Sequence, residues 1–390
     1  MESPQPQSGA LRSVSRLGLK LGFTAFGGPA AHIAMLRAEV VDRREWLTGQ
    51  RFLDLLGVVN LIPGPNSTEM VMHVGAERAG GKGLVAAGVC FILPAAAITL
   101  VFAWLYVEYG AMPGAGALLY GVKPVIIAVV AQALWGLART AFKTWLAVLT
   151  GVAVAALALL GVNEIALLFG GALLFLGLRL AATRGRPRGA AGLSLVPMKL
   201  AGLSFLGVAA GEATIQYTSA RLFLTFLKIG SVLYGSGYVL LAFLRDDFVV
   251  RYGWLTDRQL LDAVGVGQVT PGPVFTTATF VGYLVGGFPG AILATIGIFL
   301  PAFLFVGLTH RWVKELRRNA ALGGLLDGVI VAALGLMAAV ALTLARDAIV
   351  DVTTLLLALA AGILLVRFRV NATGVIALGA ATGLARHLLG

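Results

Sequence analysis

Two Pro-Gly-Pro tripeptides, Pro63-Gly64-Pro65 and Pro271-Gly272-Pro273, interrupt apolar stretches of this 390-residue chain. Asn60, Asn66, Ser67, Thr68 and Glu69 surround the first; Gln268, Thr270, Thr276 and Thr277 surround the second. Proline removes a backbone donor and drives the residue before it out of helical conformation, so a helix stops at each tripeptide and restarts beyond it. Asn66 is a good N-cap for such a restart. A helix start offers N–H groups and about half a positive charge, which together attract an anion. Two starts meeting at membrane depth, dressed with hydroxyl and amide side chains, would surround an oxyanion with neutral donors. Such donors hold an anion without trapping it as a fixed lysine would.

Charged and flexible residues gather near these breaks. Two readings stand for Glu69. Asn66-Ser-Thr-Glu69 has the spacing of a capping box, in which Glu69 closes its own helix start; alternatively Glu69 carries a coupled proton, the default reading for an acid at membrane depth. His73 follows one helical turn later and either modulates it or is structural, and His32, after the Gly-Gly-Pro break, likewise reads as structural. Lys20 and Lys228 occupy equivalent apolar positions, and Lys123, next to Pro124, has no twin; each serves the anion or its coupling, or snorkels to an interface. Arg37 and Arg245 read as gating or topological ion-pair residues. Phe26-Gly27-Gly28-Pro29 and Tyr234-Gly235-Ser236-Gly237 read either as breaks that bring backbone close to a ligand or as tight helix packing. Trp46 and Trp254, each in Trp-Leu-Thr, read as interface anchors, and Thr256 with Gln259 fits a capping box.

The elements that must position these residues come as a duplication. Leu19–Thr68 and the segment 208 positions later share 20 identities in 50. The match includes both Lys-X-Gly segments, Leu36-Arg37 with Leu244-Arg245, the Trp-Leu-Thr motifs, Leu53-Asp54 with Leu261-Asp262, and the tripeptides. After a one-residue gap it continues through Gly83 and Gly290 to Phe91-Ile-Leu-Pro94 and Phe299-Leu-Pro301. The organisation read from this is a polar tail 1–15, a first repeat 16–181, a basic linker and connector 182–215, and a second repeat 216–390.

Charged residues make up 12% of the chain and hydrophobic ones 58%, whereas soluble domains carry about 25% charged residues. Apolar stretches recur, among them Gly83–Tyr106, Leu118–Leu137, Ala291–Leu308 and Ala321–Leu344, near the roughly 20 residues that cross hydrocarbon. These features predict an all-α polytopic membrane protein of about ten transmembrane helices. The net charge of +12 does not mark a nucleic-acid binder, because its cations cluster in loops between apolar spans. Placing the loops 37–51 and 77–82 in the cytoplasm collects 19 of the 30 Lys and Arg there, the bias expected of a cytoplasmic face. The loop before the second tripeptide then falls on the opposite face, so the halves read as inverted repeats about an axis in the membrane plane. That requires one odd crossing, either by Leu17–Met35 and Leu222–Phe243 or by the connector.

Cys90 is the single cysteine, which rules out an internal disulfide, and no P-loop, Gly-X-Ser-X-Gly or metal-spaced cluster occurs. The chain therefore reads as no enzyme, with no cofactor. The Phe-Gly-Gly-Pro segment, the Trp-Leu-Thr loop and the Pro-Gly-Pro and Phe-(Ile)-Leu-Pro segments, all duplicated, resemble the chromate ion transporter family in its long-chain, two-domain form. The resemblance runs from about Arg16 to the C-terminus. It implies efflux of chromate, a tetrahedral dianion shaped like sulfate, through the inner membrane by secondary transport. It carries over to Gly27, Gly28, Pro29, Pro63, Gly64 and Pro65, and to Gly235, Pro271, Gly272 and Pro273, and departs at Ser236-Gly237. A passive oxyanion channel, or a sulfate transporter that carries chromate incidentally, remain the alternatives. The expected partners are the oxyanion, membrane lipid and a second copy of the chain.

Overall fold

The computed structural model describes residues 9–26, 28–110, 112–183, 216–234, 239–310 and 320–389, and every element in them is helical. The first half runs α1 (Ala10–Thr24), α2 (Gly28–Arg37), a π-helical turn (Ala38–Arg43), α3 (Gly49–Val59), α4 (Asn66–Tyr109), α5 (Pro113–Ala141), α6 (Trp145–Leu159) and α7 (Glu164–Thr183). The second half runs α8 (Ser219–Val232), α9 (Leu240–Leu244), a π-helical turn (Arg245–Arg251), α10 (Asp257–Val269), a 3-10 turn (Val274–Thr276), α11 (Thr277–Thr309), α12 (Ala320–Ala348), α13 (Val352–Val366) and α14 (Ala372–Leu389). The π turns recur at equivalent places, and α5 and α6 map residue for residue onto α12 and α13.

Both α4 and α11 reverse direction internally. Ala79 and Gly80 take φ/ψ of −141/23 and 60/−152; Gly286 and Gly287 take −137/18 and 61/−154. The second residue of each pair is in a region that costs a side chain dearly, hence glycine at both. Each reversal folds a short arm back on a long one, with Gly75 against Gly83 and Gly282 against Gly290. The short arm 66–78 is about 20 Å long at roughly 1.5 Å per residue, too short to cross about 30 Å of hydrocarbon.

The first segment of each half also folds back. Lys20 of α1 meets Glu39 across the break, and Lys228 of α8 meets Asp247 at 2.5 Å in the same register. Neither Leu17–Met35 nor Leu222–Phe243 is therefore one continuous spanning helix; Ala25 is extended, with φ/ψ of −83/95. The connector, the other candidate for the odd crossing, lies outside the described residues. Four helices among the described residues are long and apolar enough to cross a membrane: Asn66–Tyr109, Gly116–Ala141, Val274–Thr309 and Gly324–Ala348.

The halves interlock. α5 packs against α13 and α14, and its twin α12 packs against α6 and α7. Small residues allow these approaches, as at Gly121 beside Gly379 and, at the equivalent positions, Gly328 beside Ala172. α1 lies on α4, α8 lies on α11, and α4 meets α11 at the centre.

Candidate functional site

Each tripeptide turns the chain between two short helices. Gly64 has φ +140 and Gly272 φ +89, which glycine enters without steric cost. The turns are held by a reciprocal pair of hydrogen bonds: Gly64 N–H donates to Leu233 O at 2.8 Å, and Gly272 N–H donates to Ala25 O at 2.8 Å. Ala25 and Leu233 are equivalent residues at the ends of α1 and α8. Each tripeptide is thus fastened to the break in the first hairpin of the other half. Gly64 faces Ala302, and Gly272 faces its equivalent, Ala95. Gly28, with φ +78, borders the first break; Gly27, Gly235 and Ser236 lie outside the described residues.

Because carbonyls use both glycine amides, donors for an anion must come from the helix starts beyond them. Thr68 N–H and Glu69 N–H bond to Pro65 O at 2.8 and 3.0 Å, and Thr276 N–H bonds to Pro273 O at 3.0 Å. The amides of Ser67 and Phe275, earlier in the first turn, have no helical acceptor. Ser67, Thr68, Gln268, Thr270, Thr276 and Thr277 are all buried, whereas Asn60 is exposed and Pro63 and Asn66 are half-buried. His32 joins this group, with Nδ1 at 3.3 Å from Ser67 Oγ, and Thr99 donates to Thr276 Oγ1 at 3.3 Å from the long arm of α4.

The capping-box reading of Glu69 does not hold. Pro65, with φ/ψ of −79/90, takes the N-cap position. Asn66 is already helical, and its side chain donates to Asn60 Oδ1 at 2.9 Å. Glu69 is completely buried, and neither carboxylate oxygen has a hydrogen-bond partner among the described residues. Its Oε1 lies against Gly64, where any side chain would collide with it. His73, one turn on, places Nδ1 at 3.1 Å from Nδ1 of His310 in the other half.

The three lysines serve acids, and none of them is aimed alone into the core. Lys20 binds Glu39, which Arg43 and Arg44 also reach at 3.1 Å. These cations, Lys20 first, hold the Glu39 carboxyl down at about 2 despite its desolvation. Lys228 binds Asp247 and lies 3.7 Å from buried Glu164. Lys123 does not snorkel: it is 7% exposed and lies 3.3 Å from Asp262, which also accepts from Tyr106 at 2.9 Å. Arg245 binds Asp257 through two bonds of 2.7 and 3.1 Å; Arg37 is exposed, and Gly49 stands where its twin finds Asp257. Thr256 and Gln259 form the expected capping box. Trp46 stacks under Arg44 and Arg78, at 5.0 and 5.3 Å.

Residues 13–176 and 220–384 each match the family model of the chromate transporter. The chain belongs to the chromate transporter family. It is 31% identical to a chromate transport protein of Cupriavidus metallidurans over 98% of this chain and 97% of that one. It is 35% identical to a chromate transport protein of Pseudomonas aeruginosa, over 95% and 90% respectively. An uncharacterized transporter of Methanocaldococcus jannaschii is 28% identical over 84% of this chain. No solved structure matches the chain. The family is one of transport, so this member is a membrane transporter and not an enzyme.

Sequence reasoning missed Glu39, Asp247, Glu164 and His310. The first two were within reach, since Lys20…Glu39 and Lys228…Asp247 repeat a lysine followed by an acid 19 positions on. Nothing local marks Glu164 or His310, whose partners come from the other half.

Proposed function

We propose that the protein is a secondary transporter exporting chromate, or a related tetrahedral oxyanion such as sulfate, across the inner membrane, and that it binds the anion between the two Pro-Gly-Pro turns. The reciprocal Gly64–Leu233 and Gly272–Ala25 bonds support this reading, because they tie each turn, with the helix start and hydroxyls that follow it, to the first hairpin of the other half. The halves are read as inverted. Glu77, in a loop read as cytoplasmic, lies 4.0 Å from His310, which precedes the basic run beginning at Arg311, and Arg179, one of the 19 cations counted as cytoplasmic, meets Asp327 at 2.9 Å. Residues of the opposite face likewise meet, as Arg386 meets Asp351 at 3.1 Å.

Glu69 is the coupling group. An unpaired carboxylate buried against the site is unfavourable and repels a dianion, whereas the neutral acid does neither. Anion binding therefore favours a protonated Glu69, and the oxyanion leaves with a proton. The pair carries one net negative charge, which an inside-negative potential drives outward with about 2.3 kcal/mol per 100 mV. In proteoliposomes, labelled chromate and sulfate uptake should saturate, exchange against trapped sulfate, and accelerate when the chromate side is made acidic. Uptake that neither saturates nor exchanges would identify a channel and overturn the proposal; acceleration by acid on the opposite side would overturn the coupling sense.

A further inference from the structure

We infer that Glu69 is loaded with its proton from the cytoplasmic end along a chain of residues that crosses between the halves, Glu77 to His310 to His73 to Glu69. This rests on the reading of Glu69 as the coupling group and adds the route and its direction.

Glu77 and His310 are each 23% exposed in their side chains, so water reaches them. Arg51 of α3 fixes Glu77 through Nε at 3.1 Å and through Nη2. His310 Nε2 lies 4.0 Å from Glu77 Oε1, a gap one small movement closes. From there inward the groups are buried. His73 Nδ1 is 3.1 Å from His310 Nδ1. Two imidazole nitrogens at that separation form a hydrogen bond only when one carries a proton and the other does not. His73 Nε2 is buried and has no partner among the described residues, and neither oxygen of Glu69 has one. Residues four apart on a helix share a face, with Cβ atoms roughly 5–6 Å apart. Two orphaned polar groups one turn apart are what a transient proton bridge leaves behind between transfers.

The protons balance as follows. His310 starts with hydrogen on Nδ1 and accepts a proton from solvent, by way of Glu77, on Nε2. Its Nδ1 proton then passes to Nδ1 of His73, and His73 releases its Nε2 proton to the Glu69 carboxylate. Both rings finish neutral in the opposite tautomers, with the shared bond reversed. Passage of the next proton requires the rings to return to their starting tautomers.

The other charged or titratable groups around this line have places of their own. Arg51 of α3 faces His73 and is bound to Glu77. Arg78 lies over Trp46. His32 of α2 contacts Ser67, and Lys20 of α1 is bound to Glu39. Tyr234, beyond α8, faces Glu69. α10 and the 3-10 turn also pack on α4, and the 3-10 turn itself, Val274–Thr276, has no titratable side chain.

The test compares His310→Gln with Glu69→Gln in proteoliposomes. Two assays are run: net chromate uptake driven by a pH gradient, and sulfate–chromate exchange at equal pH, which moves no net proton. His310→Gln should slow gradient-driven uptake at least tenfold and leave exchange within twofold of the unaltered protein, and His73→Gln should slow gradient-driven uptake to a similar extent. If His310→Gln loses both assays, its role is structural and the route is wrong. If it keeps gradient-driven uptake while Glu69→Gln abolishes the pH dependence, the route fails and the coupling group stands. If Glu69→Gln retains the pH dependence, the coupling reading fails and the route with it.

Discussion

Around Pro63-Gly64-Pro65 stand His32, Glu69 and His73, and Asn60 reaches the surface. At the equivalent places around Pro271-Gly272-Pro273 stand Leu240, a threonine and an apolar residue, and everything from Pro271 to Phe280 is buried. The backbones nevertheless match: both central glycines have positive φ, and each donates to the equivalent carbonyl of the opposite half. Duplication has preserved the backbone frame of both turns, while the buried acid and the two histidines stand in one copy. On the proposed reading of Glu69, a single ionisable turn couples one proton per cycle, and two would double it. The surroundings also differ in exposure: Asn60 reaches the surface at the first turn, whereas its equivalent, Gln268, is buried at the second.

The second turn, the more deeply buried of the two, should tolerate change least. A methyl at Gly272 would come 2.7 Å from Ala95 Cβ and 3.2 Å from Gly22 O. Added to about 1–2 kcal/mol for a side chain in left-handed backbone, that overpacking costs typically 1–3 kcal/mol more. Gly272→Ala should therefore lower thermal stability in detergent and reduce transport by two orders of magnitude or more. Gly64→Ala carries the same backbone penalty at φ +140 but collides chiefly with the end of the Glu69 side chain rather than with backbone, so it should lose less stability than Gly272→Ala and about tenfold in transport. Equal losses in both would mean that the two turns are equally enclosed and that the asymmetry is not functional.

A smaller contrast separates the paired lysines. Glu39 keeps Arg43 and Arg44 when Lys20 is removed, whereas Asp247 is fully buried and shares Lys228 with Glu164. Arg251 reaches Asp247 only at 3.8 Å and is mostly exposed. Stranding a buried acid costs about 3–5 kcal/mol, while losing one cation of several near the surface costs about 0–1 kcal/mol. Lys228→Met should thus lower the unfolding midpoint strongly and Lys20→Met barely; Asp247→Asn should rescue much of the Lys228→Met defect. The reverse ranking would show that the two hairpins are not braced as their contacts indicate.

These comparisons separate what residue order encodes from what it hides. The duplication, both tripeptide turns and the gap after them follow from identities and from proline's missing donor. The fold-back of α1 on α2 was encoded too, in the repeated lysine-to-acid spacing, but it was obscured because an apolar segment of that length reads as a crossing. The reciprocal bonds at the turns could not be read, since their acceptors are carbonyls that every residue carries. Glu69 misled for a related reason: its spacing from Asn66 imitates a cap, and only the position of Pro65 shows that the cap is already taken. His73 and His310 are 237 residues apart, and no local pattern joins them.

The mildest contrast concerns the missing residue itself. From the second proline of the tripeptide to the hairpin break the first half has residues 66–78, and the second half is one shorter at 274–285. Yet the glycine contacts at the two breaks are the same. The 3-10 turn Val274–Thr276 accounts for this. Three residues at about 2.0 Å rise cover the same 6 Å as four at about 1.5 Å. They turn the chain through about 360°, close to the roughly 400° of four α-helical residues, so Gly282 still faces Gly290. Inserting one alanine between Phe275 and Thr276 should relax this turn into α-helix, cost under about 1 kcal/mol and leave transport within a fewfold of normal. The same insertion after Thr68, where the turn is already α-helical, has no 3-10 turn to relax and rotates the short arm by about 100°, carrying His73 away from His310. If both insertions were equally harmful, the 3-10 turn would be incidental to the register of the two halves.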